Sequence, residues 1–269
     1  MNMIDTHSHL FTDEFSEDLP QVIERAKETG VSFVYMPNID LDSIEPMLEV
    51  ASRYKNYCFP MMGLHPTSVD SEYQEVLRQM KVMLKNNPIY VGIGEVGLDF
   101  YWDTTWRKEQ EAALDVQIQW ALEYELPLVI HCREAFDSLY DLMLPYKSES
   151  KLRGVFHSFT GDETQAERML EFPGFYLGIN GVVTFKKSSL PDVLPLIPLD
   201  RLVLETDSPY LAPVPYRGKR NESAYVKLVL ERVAAILSLP VSSVAETTTK
   251  NAQLLFQAGE MQLRDFKVY

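Results

Sequence analysis

A closed (β/α)8 barrel, a TIM-like α/β fold, is what this 269-residue sequence predicts, on three observations. Short apolar runs alternate with amphipathic stretches along the whole chain, which implies parallel strands joined by right-handed crossovers. Eight such runs in about 250 residues match the size of a barrel. All five histidines fall immediately after predicted strands, and a barrel gathers its strand ends around one mouth.

The strand-like runs are residues 2–5, 31–36, 57–62, 89–92, 128–131, 154–157, 175–179 and 201–205. Helical stretches lie between them at 18–29, 42–54, 72–85, 105–123, 135–144 and 164–170. Gly30 directly follows Glu28-Thr29, where a left-handed cap would end a helix. Residues 209–221, rich in proline, glycine and charge, separate the last strand from a helix at 222–237, and a helix at 241–256 follows. An open doubly wound sheet is the rival architecture. It normally carries a glycine-rich first turn, and residues 5–10 contain no glycine. With no internal repeat, low-complexity segment or linker, residues 1–269 read as one domain.

Composition narrows the function classes. The chain is 46% hydrophobic and 24% charged, ordinary for a globular protein with a sizeable core. No stretch approaches the ~18 apolar residues of a membrane span, and the first residues lack the basic and apolar regions of a signal peptide. Cys58 and Cys132 are too few for a disulfide framework, so the expected compartment is the cytoplasm. The net charge of −14 argues against a protein that coats nucleic acid through a broad basic face. Bound divalent ions would weaken that argument, because they add positive charge where an anionic substrate docks.

His7 and His9 form an H-x-H at the end of the first strand, and period-two alternation sends both imidazoles to one side. Asp5 shares that parity and is expected to orient the pair. Glu95 lies in Gly92-Ile93-Gly94-Glu95-Val96-Gly97, just past the fourth run, where flanking glycines permit close approach to a ligand. His131 and His157 end the fifth and sixth strands, Asp207 follows the eighth, and His65 follows the third. A lone strand-end histidine is more often a core residue bonded to backbone; five in equivalent places are not. Imidazoles mixed with carboxylates suit Zn²⁺, Mn²⁺, Fe²⁺, Co²⁺ or Ni²⁺ better than the all-oxygen shells typical of Mg²⁺ and Ca²⁺. Six ligands (His7, His9, Glu95, His131, His157 and Asp207) are enough for two ions sharing a bridge, and two ions can ionise a water and clamp the attacked oxygen. No G-x-S-x-G elbow, P-loop or dinucleotide fingerprint is present.

These motifs, in this order, resemble the TatD family of metal-dependent deoxyribonucleases. The resemblance runs through Asp5-Thr6-His7-Ser8-His9, Gly63-Leu64-His65-Pro66, Gly94-Glu95-Val96-Gly97-Leu98-Asp99, His131-Cys132-Arg133, His157-Ser158-Phe159-Thr160-Gly161 and Glu205-Thr206-Asp207-Ser208-Pro209-Tyr210. It implies a TIM-like barrel and phosphodiester hydrolysis, chiefly in DNA. By that analogy His7, His9, Glu95 and Asp207 hold one ion, Glu95, His131 and His157 hold the second, and Mg²⁺ joins the possible metals. His65 and Arg133 would contact substrate phosphate, joined by Arg217 from the basic cluster Arg217, Lys219 and Arg220. The chain departs from the family at Ser223, where a proline is common; the serine is expected to act as a helix cap.

The expected chemistry is in-line attack by a metal-held water, with Asp207 as base and Glu95 as bridge. The acidic surface points to DNA ends or short single strands as substrate, hence an exonuclease, with no membrane and no obligatory protein partner. A small-molecule amidohydrolase or lactonase on the same barrel is the alternative; such enzymes commonly place a carboxylated lysine where this chain has Glu95.

Overall fold

In the computed structural model, which describes residues 2–257, eight parallel strands and the helices between them follow the predicted alternation. Residue 1 and residues 258–269 of the expected 1–269 unit lie outside the described residues. The strands are β1 Met3–Asp5, β2 Val31–Pro37, β3 Cys58–Met61, β4 Ile93–Asp99, β5 Leu128–Arg133, β6 Gly154–Phe156, β7 Phe175–Ile179 and β8 Leu202–Leu204. Ladders join β1 to β3 and β4 to β8 in order. Two short parallel bridges close the ring, Met62 to Ile93 between the ladders and Ser8 to Ser208 past the ends of β1 and β8. Closure satisfies backbone groups that an open sheet would leave at its edges.

The helices are α1 Leu19–Thr29, α2 Ile44–Arg53, α3 Tyr73–Asn86, α4 Arg107–Tyr124, α5 Phe136–Met143, α6 Glu163–Leu170, the short α7 Leu190–Val193, α8 Val226–Leu237 and α9 Val241–Phe256. Gly30 ends α1 as expected, in the left-handed region (φ +100°), with its N–H donating to the Ala26 and Lys27 carbonyls. A reciprocal capping box starts α6: Asp162 accepts from the Gln165 N–H, and the Gln165 side chain accepts from the Asp162 N–H. Ser223 caps no helix through its side chain. It opens a 3-10 turn, Ser223–Tyr225, and its buried hydroxyl meets that of Ser8 at 3.4 Å.

The fourth strand differs from expectation. It spans Ile93–Asp99 rather than residues 89–92, so Glu95 lies inside a strand and not in a loop beyond one. Glycines that read locally as loop signals are packing features here. Gly97 has φ +141°, and a Cβ on it would stand 2.0 Å from the His131 carbonyl oxygen, so only glycine lets β4 lie this close to β5.

Side chains alternate between two cores. Outward-facing residues such as Met36, Leu128, Ile130, Phe156, Leu177 and Leu204 pack under the helices. Inside the ring, Ile4, Tyr35, Phe59, Met61, Val129, Val155 and Val203 pack together, and α9 plugs that end with Ala252, Leu255 and Phe256. Among the described residues no single helix is long and apolar enough to cross a membrane; α8 and α9 pass such a test only as a pair bent by 115°.

Candidate metal centre

At the carboxyl ends of the strands, all five histidines converge on one buried carboxylate. Glu95 Oε2 lies 3.2 Å from His7 Nε2 and 3.5 Å from His9 Nε2. Glu95 Oε1 lies 3.1 Å from His131 Nδ1, 3.3 Å from His65 Nε2 and 3.6 Å from His157 Nε2. Asp207 Oδ1 faces the same space, 3.7 Å from Nε2 of both His7 and His9 and 3.8 Å from that of His157. Asp207 holds a left-handed backbone (φ +58°), which aspartate tolerates better than most residues, and its N–H donates to the His7 carbonyl.

Polar partners on the far side of three of the rings, His65, His131 and His157, decide what the near side offers. The Thr67 N–H donates to His65 Nδ1 at 3.1 Å, which leaves no proton on that nitrogen, and burial pushes the imidazole down. Its single proton therefore sits on Nε2, which makes His65 a donor toward the cavity and not a lone pair for a cation. His157 is the reverse. Its Nδ1 lies 3.0 Å from Glu205 Oε1, an acceptor, so Nδ1 holds its proton and Nε2 is the nitrogen whose proton a bound cation would displace. Asp99 Oδ2 takes His131 Nε2 at 2.9 Å, which leaves Nδ1 toward Glu95. Nδ1 of both His7 and His9 is buried without a hydrogen-bond partner, and His157 Nδ1 meets Glu205 at ion-pair distance without hydrogen-bond alignment.

The charge balance suits a cation. Burial opposes ionisation of Glu95, yet His65, His7 and His157 around it hold the carboxyl well below its usual range. Asp207 is held down in the same way, chiefly by His157. Burial likewise opposes a charge on His157, but Glu205, Asp207 and Glu95 outweigh it and push this imidazole up to about 10. Burial, joined by the neighbouring imidazoles His157 and His9, pushes the His7 imidazole down against the pull of Glu95. Ionised carboxylates and imidazole nitrogens crowded within 4.8 Å of one another are a donor set that fits a divalent transition ion.

The expected site residues do not all come together. His7, His9, His65, Glu95, His131, His157 and Asp207 meet, and a cavity of about 640 Å³ opens above most of them, with Arg133 in its wall. Arg217 lies outside that wall; its guanidinium stacks 4.2 Å above the Phe185 ring. The basic cluster is divided further, because Arg220 turns away to a bidentate pair with Asp18 at 2.7 and 2.8 Å. Asp5 also departs from expectation. Ile4, not Asp5, faces the barrel interior, and the Asp5 carboxylate accepts from the Thr206 N–H (2.9 Å) and hydroxyl (2.7 Å). Strand alternation stops at Asp5, so its carboxylate ties the ends of β1 and β8 together and reaches the site only through the backbone, accepting the His7 N–H at 3.4 Å. A larger apolar groove of about 750 Å³ beside α2 and α3 contains no histidine and offers no comparable chemistry.

Glu205 and Asp99 carry roles that the local motifs did not assign to them. Both were marked by parity alone: Glu205 is two residues from Val203 and Asp207, and Asp99 is four from Glu95 on one strand face. Room for Glu205 comes from Gly178, where a Cβ would stand 2.4 Å from Glu205 Oε2.

The model of the TatD-related DNases matches residues 4–257. The chain belongs to that family. Among its relatives, a protein of Bacillus subtilis named as the uncharacterized metal-dependent hydrolase YabD is 36% identical over 256 residues, covering 95% of this chain and 99% of that one. The 3'-5' ssDNA/RNA exonuclease TatD of Salmonella typhimurium is 33% identical over 261 residues, with coverage of 95% and 99%. The crystal structure of YjjV, a TatD homologue from Escherichia coli K12, superposes with a TM-score of 0.88 at 29% identity, covering 95% of this chain and 98% of that one.

Proposed function

We propose that this TatD-family chain is a metal-dependent exonuclease that hydrolyses phosphodiester bonds at the ends of single-stranded DNA or RNA, using two divalent ions. The observation that carries the reading is the partition of imidazoles between the two oxygens of Glu95. His7, His9 and Asp207 would hold one ion with Oε2; His131 and His157 would hold the other with Oε1. Bound there, the ions would supply Lewis-acid activation of water and of the phosphoryl oxygen.

The chain's own groups do the rest. The Asp207 carboxylate, ionised and at the cavity wall, accepts the proton of the attacking water. His65 donates from Nε2 to a phosphate oxygen, and Arg133 offers its guanidinium to another. Glu205 and Asp99 keep His157 and His131 in the required tautomers. The two free cysteines, Cys58 and Cys132, fit a reducing compartment such as the cytoplasm.

The test is a metal analysis with hydrolysis of 5'- and 3'-labelled single strands, duplex, an amide panel and a lactone panel, on wild type and Asp207→Asn. The expected result is two metal equivalents, stepwise shortening of single strands, and kcat lowered roughly 10²–10⁴-fold in Asp207→Asn. Hydrolysis of amides or lactones without phosphodiesters overturns the nuclease reading. Unchanged kcat in the variant overturns the proton assignment.

A further inference from the structure

We infer that Trp102, backed by Tyr101, is a stacking platform for one unpaired nucleobase beside the bond being cleaved. The inference rests on the nuclease reading and names what would make that site selective for single strands.

Trp102 is the most exposed large apolar side chain among the described residues, 70% accessible, and Tyr101 next to it is 52% accessible. The other two tryptophans behave ordinarily: Trp120 is buried, and Trp106 packs against the core. An indole left in water forgoes the largest burial available to any side chain, so exposure at this one place calls for a partner. The place is the rim of the catalytic cavity, where Trp102 forms wall together with Glu95, Asp99, His131 and Arg133.

The pair is held in a fixed relation to the metal centre. Asp99 Oδ1 accepts the Tyr101 N–H at 3.0 Å, while Oδ2 of the same carboxylate holds His131 Nε2 at 2.9 Å. One side chain thus sets both an imidazole of the centre and the start of the aromatic segment. The two rings meet edge to face, with centroids 4.9 Å apart and planes at 88°. The Arg133 guanidinium lies 3.7 Å from the Tyr101 centroid and 5.2 Å from that of Trp102. Among the described residues Arg133 makes no ion pair, so its N–H groups remain for an anion. A cation able to take a phosphate therefore sits directly beside an open aromatic face.

That combination is how single-stranded nucleic acid is gripped without sequence readout. A chain of net charge −14 offers a polyanion no broad basic face, so beyond the phosphate held at the centre a neutral contact at the mouth adds affinity. A base inside a duplex has both faces covered by its neighbours. Only a terminal or unpaired base can offer a face to Trp102.

The experiment compares wild type with Trp102→Ala, Trp102→Leu and Trp102→Phe on a short oligothymidylate. A second strand carries an abasic tetrahydrofuran at the nucleotides flanking the cleaved bond. Affinity is read separately on the metal-loaded proteins with a hydrolysis-resistant phosphorothioate strand. Trp102→Ala and Trp102→Leu are expected to lose roughly ten- to a hundredfold in kcat/KM and in affinity on the intact strand, the scale of one base–aromatic stack. Trp102→Phe should keep most of both. On the abasic strand wild type should fall to the level of the variants.

Trp102→Ala or Trp102→Leu matching wild type on the intact strand overturns the platform while leaving the nuclease reading in place. An equal loss on both strands assigns Trp102 to the shape of the site and also overturns it. Binding without cleavage, lost in Trp102→Ala, keeps the platform and removes the nuclease reading. A wild type that neither binds nor cleaves removes both.

Discussion

The two ends of the barrel interior are built on the same strands and hold opposite chemistry. At one end Val129, Val155 and Val203 pack against the Leu255 and Phe256 side chains of α9. Two residues further along each strand, one repeat of the pleat, stand His131, His157 and Glu205. The first set is sealed and apolar; the second is a crowd of imidazoles and carboxylates under a cavity of about 640 Å³. The difference teaches how the site tolerates its own electrostatics. Buried polar groups are costly without partners; here carboxylates and imidazoles from neighbouring strand ends face one another, only Nδ1 of His7 and of His9 among the imidazole nitrogens facing no polar group, while the apolar floor keeps water out from below and fixes the strands that carry them.

Three substitutions bear on that contrast. The largest effect is expected at the polar end, in Glu95→Gln. A neutral amide cannot balance two cations, so nearly all turnover and at least one metal equivalent should be lost; full activity with unchanged metal content by elemental analysis would remove Glu95 from the centre. Glu205→Gln should be milder, weakening metal affinity by roughly 10–100-fold through the tautomer of His157, as partners behind a metal-binding histidine do. Competition with a fluorescent chelator reads this directly, and an unchanged affinity would mean that His157 needs no orienting carboxylate.

Phe256→Ala at the apolar end should touch function least. Removing a buried ring costs about 3–5 kcal/mol of stability, measurable by urea unfolding, while kcat/KM per folded molecule stays within about twofold of wild type, less than 0.5 kcal/mol in the barrier. A large loss of activity in still-folded protein would show that the two ends are coupled and not merely adjacent.

Several parts of this molecule were legible without coordinates because their signals are local. The cap at Gly30, the apolar runs and the H-x-H at His7 and His9 each lie within a few residues. The fourth strand was misplaced for the complementary reason. Gly94 and Gly97 mark a turn when only their neighbours in sequence are considered, whereas the cause of Gly97 is the His131 carbonyl, far along the chain. Arg217, Lys219 and Arg220 likewise form a basic cluster by proximity in sequence, yet Asp18 claims Arg220 across about two hundred residues.

By itself, then, the sequence determined the order of strand–helix units and the inventory of groups at the strand ends, since periodicity and residue type are properties of short segments. Tertiary structure alone decided how that inventory is used: which imidazoles face which oxygen of Glu95, that Glu205 stands behind Nδ1 of His157, and that Asp99 joins His131 to the Tyr101–Trp102 rim. Each of these depends on distances between separate chain segments, and a proton settles on one ring nitrogen or the other according to a partner that only the closed barrel brings within 3 Å.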